Sequence, residues 1–242
     1  MPRPFLKARW ESLLLLNYEC PEELLLPLVP EGTTLDPWTG VPLVSLVGFL
    51  FRETRVLGVG IPWHRNFEEV NLRFYVRRKT PDGELRRAVV FVRELVPRRA
   101  IATVARVVYN EPYLSVPMQH RVSLDPEAGG SLEYSWRHRG TPFALRGKVH
   151  GPATLGEPGS EAEFITEHYW GYTRQRDGGT MEYQVEHPRW RLWSAESAEF
   201  SGASSGLYGA EFAEVLGRPP RSAFVALGSE VAVHHGKRLN SV

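Results

Sequence analysis

Apolar and polar residues alternate most regularly between positions 66 and 78 of the chain. The even positions from 70 to 76 are apolar, whereas the odd positions are Glu69, Asn71, Arg73 and Tyr75. Because residues two apart share one face of a β-strand, this pattern predicts a strand over Asn66–Arg78 with one apolar and one polar face. A polar face of this kind is typical of a surface strand and equally of a strand that lines a polar cavity, so both interpretations stay open.

Further apolar runs and turn signals predict a chain built mainly of strands. Additional strands are predicted at Trp10–Tyr18, Val41–Arg52, Arg86–Leu95, His120–Leu124, Ser131–Trp136, Phe143–His150, Glu163–Thr173, Thr180–His187, Trp193–Phe200 and Ser222–His234. Short helices are predicted from Cys20-Pro21-Glu22-Glu23 through Leu24–Leu28, directly after Pro97 and at Gly206–Leu216. No internal repeat or low-complexity linker divides the sequence. We therefore expect one domain over residues 1–242, mainly β (α+β), with an antiparallel sheet or barrel and about three short helices.

Two arginines open the helix that is predicted after Pro97. Proline suits the first helical turn, and Arg98 and Arg99 follow it directly. Cations are usually disfavoured there, because the free N–H groups already make a helix N-terminus partially positive. Two guanidinium groups beside such N–H groups favour an anion as ligand, with Glu94 as the local counter-charge. The alternative is that both arginines pair with surface carboxylates and bind nothing.

The composition argues against several classes of partner. The formal net charge is +1, which gives no general electrostatic reason to bind nucleic acid or an acidic membrane. Cys20 is the only cysteine, so the chain forms no internal disulfide, which fits a reducing compartment. The apolar run Leu13–Leu16 is too short for a signal peptide or a membrane span, and we expect a cytoplasmic location.

Motifs for cofactor binding and for hydrolysis are missing from the sequence. No glycine-rich phosphate motif precedes a helix and no nucleophile elbow surrounds a serine, so we expect neither a nucleotide cofactor nor a catalytic triad. His168 and His187 lie in neighbouring predicted strands and, with Glu167 or Glu186, could approach one another. Metal motifs usually have tighter spacing, so we expect no metal site and no cofactor.

Several short motifs resemble known families. Motifs similar to the YqjF-like family of uncharacterised bacterial proteins (domain of unknown function 2071) are Pro21-Glu22-Glu23-Leu24, Val29-Pro30-Glu31-Gly32, Asn66-Phe67-Glu68-Glu69-Val70-Asn71 and Tyr109-Asn110-Glu111-Pro112-Tyr113. This similarity runs over nearly the whole chain. In addition, Arg93-Glu94-Leu95 followed by Pro97-Arg98-Arg99 resembles the Arg-Glu-Leu … Pro-Lys-Lys segment of acetoacetate decarboxylase. The second resemblance implies a partly closed antiparallel β-barrel with an internal, mostly apolar cavity. It also implies a possible homo-oligomer, because such relatives assemble as oligomers.

The resemblance to acetoacetate decarboxylase fails at the residues that its chemistry needs. That enzyme forms a Schiff base on a lysine, whereas the matching positions here are Arg98 and Arg99. A guanidinium group stays protonated in proteins and cannot form the imine. We therefore expect no Schiff-base decarboxylation, and instead an arginine pair that holds negative charge.

The same resemblance suggests two further site residues. It places Glu69 where the decarboxylase has an active-site glutamate, and Arg9 near the position of an N-terminal arginine. A buried Glu69 would be a candidate general acid or base if desolvation raised its pKa. The alternative is a structural ion pair from Glu69 to Arg73 or Arg98 that holds two strands together.

Two hypotheses for the function follow. In the first, an internal cavity binds a small anionic or carbonyl metabolite and nothing reacts. In the second, the protein is a non-imine lyase, isomerase or hydrolase that acts on a small acid with Glu69 as general acid or base. The candidate ligand contacts are the same in both hypotheses and are Arg98, Arg99, Glu94, Arg9, Asn71, Arg73 and His64.

Overall fold

The computed structural model describes residues 3–60, 64–98, 100, 103, 110–202 and 205–239. The strands in this part of the chain are β1 (Leu6–Glu19), β2 (Thr34–Leu35), β3 (Leu43–Val56), β4 (Phe67–Lys79), β5 (Leu85–Val96), β6 (Tyr113–Ser115), β7 (Met118–Asp125), β8 (Gly129–His138), β9 (Thr141–His150), β10 (Thr154–Leu155), β11 (Trp170–Arg174), β12 (Thr180–Glu186), β13 (Arg191–Ser194), β14 (Ser197–Ser201), β15 (Ser222–Val233) and β16 (Lys237–Arg238). The helices described are α1 (Glu22–Leu25), a 3-10 turn (Leu26–Leu28), α2 (Glu161–Thr166), α3 (Ser205–Tyr208) and α4 (Ala210–Leu216). None of these helices is both long and apolar enough to cross a membrane.

The large sheet curves into a partly closed barrel. Its strands run in the order β15-β1-β3-β4-β5-β11-β12, and β12 pairs again with β15. The closing contact is short, with Val185 opposite Val233 and Glu186 opposite Ala232. The mainly β, antiparallel, partly closed barrel is therefore confirmed. The parallel pairings of β5 with β11 and with β6 were not predicted, because strands distant in sequence carry no local sign of their direction.

Two hydrophobic cores lie on the two faces of this sheet. A second sheet, in the order β14-β9-β8-β7, covers one face, where Val70, Leu72 and Phe74 of β4 join Tyr134 and Leu145 in one core. The odd residues of β4 point to the other face, where Phe67 and Tyr75 belong to the second core. The alternation over β4 thus separates an apolar outer face from a polar inner face, which is the face that lines a cavity.

An irregularity in β5 changes which of its residues face inward. Arg73 of β4 lies opposite Phe91, but the preceding Leu72 lies opposite Arg93, so that Val92 is an extra residue in the ladder. Such a β-bulge shifts the two-residue period of the strand by one position. As a result Phe91 and Glu94, which are three residues apart, both face the interior.

Three predicted elements were wrong in type or extent. The strand predicted at Glu163–Thr173 begins as helix α2, because the Ser160 hydroxyl accepts the N–H of Glu163 (3.2 Å) and the Glu163 carboxylate accepts the N–H of Gly159 (2.7 Å). These contacts cap the helix. The strand predicted at Trp193–Phe200 is two strands, β13 and β14, which belong to different sheets.

The helix predicted at Gly206–Leu216 is divided in two at Gly209, whose φ of 90° only glycine adopts readily. The helix predicted after Pro97 lies mostly outside the described residues, and so does Arg99.

Candidate functional site

A cavity of about 310 Å³ lies at the inner face of the barrel. Its walls are mostly aliphatic and aromatic, and they come from strands on every side of the ring and from the end of α2. The polar side chains that line it are Thr54, His64, Glu69, Arg73, Glu94, Glu111, Tyr113, Thr166, His168, Tyr183 and His187. The volume is at the lower end of the range for small-molecule sites.

Three buried carboxyl groups meet in this wall, and we call Glu69, Glu94 and Glu111 the carboxyl cluster. Their exposed fractions are 3%, 2% and 7%. Glu69 accepts hydrogen bonds from the Tyr113 hydroxyl at Oε2 (3.1 Å) and from the Asn71 amide at Oε1 (3.1 Å). Asn71 is therefore held against Glu69, two residues along the same face of β4.

Among the described residues, the other two members of the cluster form no ion pair within 4.0 Å. Glu111 Oε1 accepts hydrogen bonds from the hydroxyl groups of Thr173 and Tyr183, the latter at 3.1 Å. Glu94 lies close to Glu111, and its Oε2 is buried without a hydrogen-bond partner among the described residues. In the described part of the chain, hydroxyl groups, an amide and neighbouring carboxyls contact these acids, and the nearest charge effect from a cation is that of Arg73 on Glu69.

These surroundings favour the protonated form of each acid. Burial raises the pKa of Glu69 to about 7, and the nearby Glu111 adds to this although Asn71 and Tyr113 oppose it. Burial likewise raises the pKa of Glu111 to about 7. Burial and then the charges of Glu111 and Glu69 raise the pKa of Glu94 well above its usual value. A carboxyl of this kind can both donate and accept a proton near neutral pH.

No described residue makes an ion pair with Glu69 within 4.0 Å, so the alternative of a structural salt bridge to Arg73 or Arg98 is not seen. Arg73 instead lines the cavity. One of its terminal nitrogens donates to the Ile165 carbonyl (3.3 Å), and its buried Nε has no hydrogen-bond partner in the described part of the chain. Arg73 is thus a cation with an unsatisfied donor at the cavity wall.

The other candidate arginines are placed differently. Arg98 is exposed and does not line the cavity. Because Arg99 lies outside the described residues, the arginine pair stays a prediction. Arg9 does not line the cavity either, because it alternates with Trp10, which does; its side chain is 45% exposed and pairs with Glu11 (3.1 Å). His64 does line the cavity.

A second polar group lies in the wall at His168. It is 7% exposed, and its Nε2 lies 3.6 Å from Oδ2 of Asp36, which also accepts the Nε–H of Arg87 (2.7 Å). Burial lowers the pKa of His168 to about 4, although Asp36 opposes this. Burial opposes ionisation of Asp36, but His168 and Arg87 outweigh it and the pKa of Asp36 is lowered. The His168 side chain is therefore neutral at pH 7.

The proposed pairing of His168 with His187 around a metal has no counterpart in this geometry. His187 stacks on Trp190 with ring centroids 4.1 Å apart, and His168 packs on Tyr75 at 4.6 Å. Within the described ranges, His, Cys, Asp and Glu side chains form no group of three that could hold a metal ion.

Sequence reasoning did not identify Glu111, Tyr113 or Tyr183 as site residues. Glu111 lies just before β6 and Tyr113 is its first residue, in a short segment where no periodic pattern indicates which way a side chain points. One signal was available, because both residues belong to a motif that resembles the YqjF-like family.

Comparison with known proteins confirms both resemblances. The model of the DUF2071 family, described as an uncharacterized conserved protein, matches residues 7–231. The uncharacterized protein YqjF of Bacillus subtilis (strain 168) is 25% identical over 196 residues, which are 79% of this chain and 76% of that protein.

Solved structures with a similar fold belong to acetoacetate decarboxylase-like proteins. The acetoacetate decarboxylase of Legionella pneumophila (strain Philadelphia 1) has a TM-score of 0.68 at 12% identity, covering 99% of this chain and 88% of that chain. The enduracididine biosynthesis enzyme MppR, in complex with the condensation product of pyruvate and imidazole 4-carboxaldehyde, has a TM-score of 0.71 at 11% identity, covering 98% and 90%. An acetoacetate decarboxylase-like enzyme from Sphingomonas wittichii RW1 has a TM-score of 0.69 at 12% identity, covering 100% and 95%. This chain therefore belongs to the DUF2071 family and has the fold of the acetoacetate decarboxylase-like proteins.

Proposed function

We propose that the cavity binds a small carbonyl metabolite and that the carboxyl cluster transfers a proton to or from the carbon beside its carbonyl group. The observation that supports this most is the position of Glu69, buried in the wall of an apolar cavity without an ion pair in the described part of the chain. With a pKa of about 7, Glu69 is about half ionised at neutral pH. MppR, which shares the fold, has been solved with pyruvate bound.

The proposed chemistry is enolisation, a step shared by many isomerases and lyases. The Glu69 carboxylate removes a proton from the carbon next to the carbonyl, and the electron pair moves onto the carbonyl oxygen. Protonated Glu94 is a hydrogen-bond donor that can stabilise the resulting enolate. Return of the proton from Glu69 to the opposite face of this carbon, or to the far carbon of a conjugated enolate, completes an isomerisation.

A Schiff-base mechanism has no support in the placement of the lysines. The chain has four, Lys7, Lys79, Lys148 and Lys237, and each is exposed and outside the cavity wall. Borohydride treatment in the presence of acetoacetate should therefore trap no adduct. A stable lysine adduct, located by mass spectrometry, would contradict the non-imine proposal.

A second candidate function is binding without reaction, and Arg73 favours it. Among the described residues that line the cavity, it is the only guanidinium group, and its buried Nε has no partner. A ligand carboxylate could satisfy this donor through a charge-assisted hydrogen bond. In this candidate Arg73 takes the role that the sequence suggested for Arg98 and Arg99.

Exchange of carbon-bound hydrogen for deuterium separates the two candidates. In D₂O, the protein should accelerate exchange next to the carbonyl of pyruvate or acetoacetate, as followed by NMR. Glu69→Gln should slow this exchange by about a hundredfold or more, because general acid–base groups contribute that much. The same compounds should still raise the melting temperature of the Glu69→Gln variant.

The matched control for this experiment is Glu68→Gln. Glu68 is the neighbour of Glu69 on the opposite face of β4, and its carboxylate contacts His120 at 2.7 Å outside the cavity. This variant should exchange at the wild-type rate. Binding without any exchange would favour the second candidate, and the absence of binding to either compound would overturn both.

A further inference from the structure

Part of the cavity wall is a continuous set of rings, which we call the ring wall: Trp10, Phe51, Phe67, His187 and Trp190. His187 and Trp190 are stacked, with centroids 4.1 Å apart and planes 17° apart. Phe51 and Phe67 are stacked in the same way, at 4.6 Å and 15°. Trp10 joins the two pairs, because it lies 6.2 Å from Trp190 and 5.9 Å from Phe51.

The ring wall offers few polar groups to a ligand, although the Trp10 indole N–H is buried without a hydrogen-bond partner among the described residues. The Trp190 indole N–H donates to the Ser229 hydroxyl (2.8 Å), and His187 Nδ1 lies 3.0 Å from the Pro188 carbonyl. Burial lowers the pKa of His187, so its ring is neutral near pH 7. These side chains therefore present ring faces and edges to the cavity, which suit another flat ring in stacked or edge-on contact.

The cavity is also larger than a keto acid of three or four carbons needs. Its 310 Å³ equals the volume of about ten water molecules in the liquid. With so small a ligand at the carboxyl cluster, much of the remaining space would be water against apolar rings. Such water is poorly held, because it lacks hydrogen-bond partners.

We propose that the natural ligand is a carbonyl compound with an aromatic ring, whose carbonyl lies at the carboxyl cluster and whose ring packs in the ring wall. This rests on the proposed function, since it takes the position of the carbonyl from there. The ring then replaces the poorly held water, and the ring wall selects the substrate while the carboxyl cluster acts on it.

Matched pairs of ligands test the proposal directly. Pyruvate is compared with phenylpyruvate, and acetoacetate with benzoylacetate, by isothermal titration calorimetry on the full chain. Burial of a phenyl group should make the ringed member of each pair bind about tenfold to a hundredfold more tightly. A straight-chain oxo acid with the carbon number of phenylpyruvate should bind more weakly than phenylpyruvate, because it cannot stack.

Variants assign the preference to the ring wall. Trp190→Leu should reduce the ratio of the two dissociation constants in each pair severalfold, and Phe51→Leu is a second variant in case the first does not fold. The control is Trp136→Leu, which removes a buried tryptophan of the second sheet that stacks on Phe143 at 5.5 Å. It should leave the ratio unchanged.

The outcomes separate this inference from the proposed function. Equal affinity within each pair, or equal affinity of phenylpyruvate and the straight-chain acid, would overturn the ring preference and leave the proposed function standing. If neither member of either pair bound, the proposed function would fail first, and the ring preference with it.

Discussion

Buried carboxyl groups occur in two different surroundings in this barrel. Glu182 accepts hydrogen bonds from Arg86 (2.6 Å), Arg78 (3.3 Å) and the Tyr172 hydroxyl (2.6 Å). The carboxyl cluster has comparable burial but no cation within ion-pair distance among the described residues. Burial alone therefore does not distinguish a structural acid from one that can take part in chemistry.

Glu182 and the carboxyl cluster differ in the groups that contact their carboxyl oxygens. Two guanidinium groups pair with Glu182, which ties β12 to β4 and β5, so removal of its carboxylate breaks both ion pairs. Hydroxyl groups, an amide and other carboxyls leave the charge of the cluster adjustable. The comparison predicts that replacing Glu182 by glutamine lowers the stability of the protein, whereas the same replacement in the carboxyl cluster raises it at alkaline pH.

The largest effect is expected for Glu182→Gln. Loss of the carboxylate leaves Arg78 without an ion-pair partner among the described residues and leaves Arg86 with only the exposed Glu84, and we expect a loss of about 3 kcal/mol in the free energy of unfolding. Urea unfolding at pH 7 measures it. Glu84→Gln is the control, because Glu84 also pairs with Arg86 (2.8 Å) but is 48% exposed, and it should cost less than about 1 kcal/mol.

The second largest effect is the dependence of the free energy of unfolding on pH. The pKa values of Glu69 and Glu111 are raised from 4.5 to about 7. Through these two carboxyls the folded protein binds more protons than the unfolded chain in this window. His168, whose pKa burial lowers to about 4, opposes part of this effect, and stability falls as the pH rises from 4.5 through 7. We expect a loss on the order of 2 kcal/mol between about pH 5 and pH 8, measured by urea unfolding.

Glu69→Gln should flatten this slope. At about pH 5 the variant and the wild type should be equally stable, whereas at pH 8 the variant should be more stable by on the order of 1 kcal/mol. A slope identical to that of the wild type would contradict the assigned surroundings of Glu69. Asp36 affects stability at acidic pH instead. Because its pKa is lowered in the folded protein, its contribution to stability is lost as the pH falls through that pKa, below 3.8.

The smallest effect is expected for Glu214→Gln. Glu214 pairs with Arg218 (2.5 Å) one helical turn away, but the side chains are 74% and 56% exposed. Solvent screens such a pair, and the change in the free energy of unfolding should stay below about 0.5 kcal/mol at pH 7. A larger change, seen by urea unfolding, would mean that short distances in this protein matter more than burial.

Local patterns were sufficient for β4 and for the set of polar residues on one of its faces, but they left open whether this face is on the surface or lines a cavity. Glu69, Asn71 and Arg73 follow from alternation alone, because the period of two is a property of the strand itself. The capped start of α2 was equally readable, since Ser160 precedes Glu163 by three residues, the spacing of a capping box. The strand prediction there gave too much weight to the apolar residues that follow.

The remaining features depend on contacts between distant segments. The second pairing of β12 with β15 and the direction of β11 are set by the whole sheet, and no short stretch encodes them. Glu111 enters the cavity from a turn, and Thr173, its hydroxyl partner, is 62 residues away. Sequence reasoning could suggest acids in this barrel, but it could not find the neighbours that determine their pKa values.

The bulge at Val92 has a consequence for the sign of the charge that a ligand meets. In an unbroken ladder with the same sequence, Arg93 would point to the interior and Glu94 would point away. One extra residue in the backbone thus decides whether this stretch of β5 places a glutamate or an arginine in the cavity. Two proteins with the same residues here could therefore select ligands of opposite polarity, and residue identities alone would not reveal it.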